Sequence, residues 1–387
     1  MIAQTDVLKP KKHYQILDGL RGVAALFVVV FHTLEAFSMG NRFELLLNHG
    51  YLAVDFFFLL SGFVVAYAYD DRWEKLTTFE FLKRRVIRLQ PMVIIGMIIG
   101  ALLFYQSAGA TFAPIAKTAI WQLILTMLIG FTVIPVLPSM DIRGWQEMHP
   151  LNGPAWSLFF EYIGNILYAL FIRKFSKIAL SVLVLISAAL LIHYTIFGTQ
   201  GDVIGGWSVT PEQLRIGLTR LLFPFFAGIL LSRFGKLITI KGGFWVCAIL
   251  LVTVLSIPRL GGSENIWMNG LYESIVIIFI FPLIVSIGAG SGIISGTTSK
   301  ISKFLGDISY PIYITHYPLI YVYTAWVIDN KISLKEGIPM GLVLISTSIA
   351  IAYFSLKFYD EPVRNWLQKK FLSKKYVNSN SDLLGNY

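Results

Sequence analysis

The chain has 387 residues, 56% apolar and only 14% charged, with 32 Lys and Arg against 22 Asp and Glu for a net charge of +10; the mean hydropathy is +0.67. A soluble domain carries about 25% charged residues, so this composition excludes an ordinary soluble fold. The excess positive charge sits in short loops beside long apolar runs, which suits membrane orientation and not nucleic-acid binding. The single cysteine, Cys247, cannot form an internal disulfide, and no Cys/His spacing suits a metal.

The polar, basic segment Met1 to Gln15 has no cleavable apolar stretch and is not expected to be a signal peptide. The first span, about Leu17 to Phe37, is expected to serve as its own insertion signal. Beyond it, apolar runs centre near residues 28, 60, 99, 126, 163, 188, 223, 250, 279, 318 and 348. All read as helices, because only helices or closed barrels satisfy the backbone in lipid, and the alternation of a barrel is absent.

Basic residues orient the runs. Lys9, Lys11 and Lys12 place the N-terminus inside, and Arg72, Lys75, Lys83, Arg84, Arg85 and Arg88 place the 70–88 loop there too. So do Arg173, Lys174 and Lys177, then Arg233, Lys236 and Lys241, then Lys300 and Lys303. Arg364, Lys369, Lys370, Lys374 and Lys375 do the same for the C-terminus. The loops near Gly198–Pro211 and Pro258–Trp267 suit the outside.

These assignments require an even number of crossings, and eleven runs is odd. The surplus lies between 88 and 173, where the weakest run, about 115–137, is bounded by Pro114, Pro135 and Pro138. It is expected to be re-entrant or interfacial. The predicted fold is an all-α polytopic membrane bundle of about ten transmembrane helices plus that segment. It forms one membrane domain over 1–387, with its core at about 14–366 and no room for a large soluble domain. The tail, 367–387, is expected to be cytoplasmic and partly disordered, from Val377 to Asn386 above all.

An ionisable group within a bilayer costs at least a few kcal/mol and usually marks a functional site. Arg21 and His32 are eleven residues apart, about three turns and roughly 16 Å along one helix face. A cation near the inner interface and a deep imidazole therefore share a surface. Asp18 can cap this helix or pair with Arg21, while Gly19 and Gly22 permit close backbone approach. In the second run Asp55, Ser61 and Gly62 interrupt an aromatic stretch; Asp55 and Gly62 share a face.

The basic loop that follows is demanded by topology alone. Yet Arg85 and Arg88 lie on one side of a helical turn, beside Arg84, and paired guanidinium groups suit phosphate. In the fifth span Ser157, Glu161 and Asn165 follow i, i+4, i+8 after Trp156, and Tyr168 continues this polar stripe in an apolar helix. A tenth span carries Ser309, Tyr313 and His316 between Pro311 and Pro318. His32, Glu161 and His316 are expected at broadly similar depth. A carboxylate and an imidazole so placed suit general acid–base chemistry, and equally a proton-coupled carrier.

Several of these segments occur together in one family. Leu17-Asp-Gly-Leu-Arg21-Gly with His32, Asp55-Phe-Phe-Phe-Leu-Leu-Ser-Gly62, Arg85-Val-Ile-Arg88-Leu-Gln-Pro91 and Trp156-Ser-Leu-Phe-Phe-Glu161 appear in order. With Leu305-Gly-Asp-Ile-Ser-Tyr-Pro-Ile-Tyr-Ile-Thr-His316 and the closing Asp360-Glu361-Pro362, the sequence over about 14–366 resembles acyltransferase family three, membrane proteins that O-acylate sugars. The resemblance implies a bundle of about ten helices in the inner membrane of a bacterium, with both termini cytoplasmic. It implies acyl-CoA, acetyl-CoA foremost, as a co-substrate and no permanently bound cofactor or metal. It implies a sugar or glycan hydroxyl as acceptor, alongside membrane lipid and without nucleic acid.

The family motifs map Arg21, Arg85 and Arg88 onto donor binding, with the neighbouring Arg84 as a further candidate, and His32 and Glu161 onto catalysis. Asp55, Ser61, Trp156, Ser157, Asn165, Tyr313 and His316 are substrate-facing or form a structural polar seam. His32 would be the general base or a transient acyl carrier, and Glu161 would orient or protonate the imidazole, or bind the acceptor. In some relatives a soluble esterase-like domain follows the last helix; this chain ends soon after Pro362, and functions needing that domain are not expected of it. The competing reading is a proton-coupled transporter or flippase of a glycan or lipid precursor.

Overall fold

The computed structural model describes residues 11, 13–292 and 296–372, and among these every regular element is helical. The expectations for Lys9, Lys12, Lys374, Lys375 and the Val377–Asn386 tail lie outside the described residues. In chain order the helices are α1 (Gln15–Glu35), α2 (Ala53–Tyr69), α3 (Thr78–Leu102), α4 (Ile120–Gly130), α5 (Ala155–Leu170), α6 (Lys177–Phe197) and α7 (Pro211–Phe234). After these come α8 (Gly243–Ser256), α9 (Trp267–Ile275), α10 (Phe281–Gly290), α11 (Thr297–Thr315), α12 (Tyr317–Asp329), α13 (Leu334–Ser355) and α14 (Glu361–Phe371).

Single π-helical turns, Val276–Ile280 and Leu356–Asp360, join α9 to α10 and α13 to α14. Seven stretches are long and apolar enough to cross a bilayer: Gln15–Ser38, Gly50–Tyr69, Thr78–Leu102, Lys177–Phe197, Pro211–Phe234, Trp267–Gly290 and Leu334–Phe371. The chain is therefore an integral membrane protein. Helices α5 and α8 fall below that length at 16 and 14 residues, and α11 hands over to α12 at a break around His316.

Local chemistry fixes where helices begin. Thr77 and Glu80 form a reciprocal capping box at α3, and Ser333 and Glu336 do the same at α13. The hydroxyls of Ser176 and Thr210 cap α6 and α7. Packing then follows small residues. A side chain at Gly62 would strike the Phe225 carbonyl and one at Gly228 the Leu59 carbonyl, so α2 and α7 are held at backbone contact from both sides.

Segment 115–137 contains only the eleven residues of α4, about 16 Å of helix against a hydrocarbon core of about 30 Å. The chain there doubles back. Phe131 at the tip accepts a hydrogen bond from Gln90, Thr118 bonds the Ile142 carbonyl, and Val136 bonds Met148.

With α4 turned back, the basic loops gather at one end of the bundle. Arg233 reaches Asp70 and the Phe175 carbonyl, Arg173 lies over Trp73, and Lys83 over Phe371. At the opposite, far end, Asp202 joins Arg42 to Arg259, and His49 reaches the Ile257 carbonyl.

Candidate functional site

Three cavities follow one another from the basic end to the far end. The first, about 330 Å³, is bordered by His13, Asp18, Arg21, Arg88, Lys303, Asp307 and Arg364. The second is a narrow central space of about 100 Å³ between α1, α2, α3, α5 and α11, and it shares Arg21, Arg88, Ser309 and Tyr310 with the first. The third, about 670 Å³, lies at the far end and shares Val54 and Tyr313 with the central one. The arrangement is a path with a neck at Val54 and Tyr313.

Three arginines face the first half of this path. Arg21 bonds Asp18, which also meets His13 Nε2 at 2.8 Å. Arg85 Nη2 donates to Glu161 Oε1 at 2.6 Å, and Ser61 Oγ donates to the same oxygen at 2.8 Å. Arg88 makes no hydrogen bond or ion pair among the described residues and borders both cavities. A partially buried guanidinium with unspent donors is a ready partner for phosphate. Arg84 borders none of the three cavities.

His32 lies beyond the neck, on the wall of the far cavity. Its Nδ1 is 2.6 Å from Glu35 Oε2, and its ring stands edge-on to Tyr317 at 4.9 Å and stacks with His316 at 5.7 Å. A carboxylate on Nδ1 favours the tautomer that leaves the Nε2 lone pair free for a substrate proton. The carboxylate bonded to the imidazole is Glu35, three residues on along the same helix, while Glu161 is engaged by Arg85 and Ser61 in the central cavity.

The remaining residues singled out in the sequence divide clearly. Ser157 and Tyr313 share a hydrogen bond of 2.7 Å at the neck, and Trp156 borders the far cavity. Asp55 is fully buried and paired with Arg220 Nη2 at 2.7 Å; Arg220 also donates to the Tyr51 and Gly205 carbonyls, so this is an internal tie between α2 and α7. Asn165 caps the Glu161 carbonyl. His316 is fully buried at the α11–α12 break, with Nδ1 on the Ile312 carbonyl and Nε2 unpartnered.

Sequence reasoning passed over Glu35, Arg220, Tyr317 and Glu147, all of which border the far cavity. For Glu35 a signal existed, the i, i+3 spacing from His32. Glu147 lies in the loop before α5, where burial raises its carboxyl to about 7. In the same loop burial lowers His149 to about 3.

Among the described residues the fold is an all-helical membrane bundle with an arginine-lined chamber at one end and a histidine–carboxylate pair at the other. The chain belongs to the acyltransferase domain family, whose model matches residues 14–357. It is 24% identical to the O-acetyltransferase OatA of Staphylococcus aureus over 372 residues, 90% of this chain and 57% of that protein. It is 23% identical to the peptidoglycan O-acetyltransferase OatA of Listeria monocytogenes over 380 residues, 92% of this chain and 56% of that protein. A shorter match, 34% over 167 residues, covers 41% of this chain and 83% of "protein 2 in picA locus" of Rhizobium radiobacter. The chain thus spans a little over half the length of the OatA relatives. No solved structure matches.

Proposed function

We propose that the protein O-acetylates a cell-envelope glycan, taking the acetyl group from acetyl-CoA at the basic end and delivering it to a sugar hydroxyl at the far end. The observation that carries this reading is the series of cavities joining Arg21, Arg85 and Arg88 to the His32–Glu35 pair. In this reading about ten helices cross the inner membrane of a bacterium, both termini are cytoplasmic, and α4 is re-entrant. The positive-inside distribution of the basic loops supports that orientation.

The free guanidinium of Arg88, with Arg21 and Arg85, meets the donor's phosphates, and the pantetheine arm enters the central cavity. His32 Nε2 takes the proton of the acceptor hydroxyl as that oxygen attacks the thioester carbonyl. The new C–O bond forms, the C–S bond breaks, and the imidazolium, stabilised by Glu35, returns its proton to the thiolate. The products are the acetyl ester and free thiol. Glu161 holds Arg85 and Ser61 in place along the donor path. Where the acetyl rests first on His32, with the thiol leaving, the imidazole holds it on the far side of the neck for the acceptor hydroxyl.

The glycan acceptor is supported by the OatA relatives, one named for peptidoglycan, and by the far cavity, which has Trp145, Trp156 and Trp207 among its walls. A carrier would use the same path, so the test must separate them. Envelope glycans of a deletion strain are compared by NMR after complementation with wild type or His32→Ala, at matched expression. An acetyl-ester signal restored only by wild type is expected. An unchanged spectrum, together with substrate-driven proton flux in vesicles lacking acyl-CoA, would instead establish the carrier.

A further inference from the structure

One carboxylate of the far cavity has no place in the mechanism above. Glu147 is 6% exposed and borders the cavity that holds His32 and Glu35. Tyr321 on α12 donates its hydroxyl to Glu147 Oε2 at 2.5 Å, and that tyrosine oxygen also receives the Gly153 amide at 3.1 Å.

The nearest cation does not neutralise it. Arg143 donates Nε to the Pro150 carbonyl and Nη1 to the Ser107 hydroxyl, and its guanidinium lies 3.5 Å from the centroid of the Tyr321 ring. No ion pair to Glu147 exists among the described residues. Its second oxygen, Oε1, accepts no hydrogen bond among them. Gly153 clears the space beside it, since a Cβ there would stand 2.8 Å from Oε1.

A buried carboxylate with an unspent oxygen is costly unless something polar completes it. Here that oxygen belongs to a wall built for a sugar, with tryptophan faces for the C–H surfaces of a pyranose ring and a second carboxylate, Glu35, across the space. We infer that Glu147 is the acceptor-positioning residue, with Oε1 receiving hydrogen bonds from sugar hydroxyls while Tyr321 anchors Oε2, so that the reacting hydroxyl is presented to His32. This rests on the glycan-acceptor reading.

The charged and titratable groups facing Glu147 are Tyr321 and Tyr317 from α12, Glu35 from α1, and Arg143 and Asp141 from its own loop. Burial raises its carboxyl to about 7, while the Tyr321 hydroxyl and Arg143 oppose that rise. The ionised form accepts sugar hydroxyls best, so acceptor affinity should climb with pH through about 7 and level off above it. Removing the Tyr321 donor withdraws support from the ionised form and moves that climb to higher pH.

The test is calorimetric binding of chitotetraose to the purified full chain between pH 5.5 and 8.5, with thermal melting run on each variant. Wild type is expected to tighten through about pH 7. Glu147→Gln is expected to bind about tenfold more weakly at pH 8, without the pH dependence, and to raise the acceptor KM more than it lowers kcat. Tyr321→Phe keeps the carboxylate and is expected to shift the midpoint upward, which tests the idea even if Glu147→Gln fails to fold. Glu147→Gln that melts normally and binds like wild type, or an unmoved midpoint in Tyr321→Phe, overturns the role of Glu147 and leaves the acyltransferase reading standing. Wild type that never binds chitotetraose overturns this inference and the glycan acceptor together.

Discussion

His32 draws its carboxylate from its own helix. Glu35 is one turn on, 2.6 Å from Nδ1, and at that distance it favours one tautomer and, in the proposed reaction, would stabilise the imidazolium. Glu35→Gln keeps the shape but removes the charge, and should lower the turnover of acetyl transfer by about 10²-fold, the usual weight of acid–base assistance, with little change in the KM for acetyl-CoA. Steady-state kinetics in detergent will check this, and a kcat within twofold of wild type would make Glu35 a mere neighbour. Arginine and histidine in an apolar run announce themselves, so Arg21 and His32 were legible in the sequence. Glu35 carried only the weak signal of its i, i+3 spacing from His32, because a carboxylate at the end of a span is ordinary and its distance from the ring is what sets it apart. Glu147 was invisible for another reason: its loop is of ordinary polarity, and its burial comes from α12, 174 residues away in the chain.

At the scale of elements, α2 and α7 are tied twice, by the reciprocal glycines and by the buried pair Asp55–Arg220. The sequence marked Asp55 but gave no hint of a partner 165 positions on. Removing one member of such a pair leaves an uncompensated buried charge, at a cost of about 3–5 kcal/mol. Asp55→Asn should therefore lower the melting temperature sharply, and Asp55→Asn combined with Arg220→Met should recover part of the loss. A double variant no better than the sum of the singles would remove the coupling claimed here. For the α4 segment the sequence offered a different signal, since charge parity left one run too many and its prolines marked this one; the helix there is eleven residues long. Because Thr118 and Ile142 meet across its base, Lys117→Cys and Ser139→Cys, at exposed positions beside them, should react with an impermeant thiol reagent from the same face of sealed vesicles. The native Cys247 is fully buried and should stay silent. Opposite-face labelling would mean that the segment crosses.

Across the whole molecule, the decisive feature is that the arginines and the histidine stand in different chambers. Transfer must pass the neck where Val54 and Tyr313 border both, and where Tyr313 is pinned by Ser157 at 2.7 Å and flanked edge-on by Phe57 at 5.3 Å. The sequence placed Tyr313 and Ser157 on polar stripes of two separate helices, but nothing in either stripe says that the two close one opening. Only the folded chain, which brings Ser157 of α5 to Tyr313 of α11 across 156 positions, puts them face to face. If the acyl group travels this way, a larger ring at the neck should uncouple the ends of the protein. Tyr313→Trp adds bulk and removes the hydroxyl, so it should retain acetyl-CoA binding at the arginine end while losing transfer to glycan by 10-fold or more, on the order of a misplaced reacting group. Tyr313→Phe keeps the ring and loses only the hydrogen bond, and should retain most activity. Equilibrium binding of acetyl-CoA and acetyl transfer, measured on the same preparations, decide the matter. If Tyr313→Trp loses donor binding as well, the neck itself is part of the donor site and not a passage beyond it. If it transfers at the wild-type rate, the acyl group takes another route to His32.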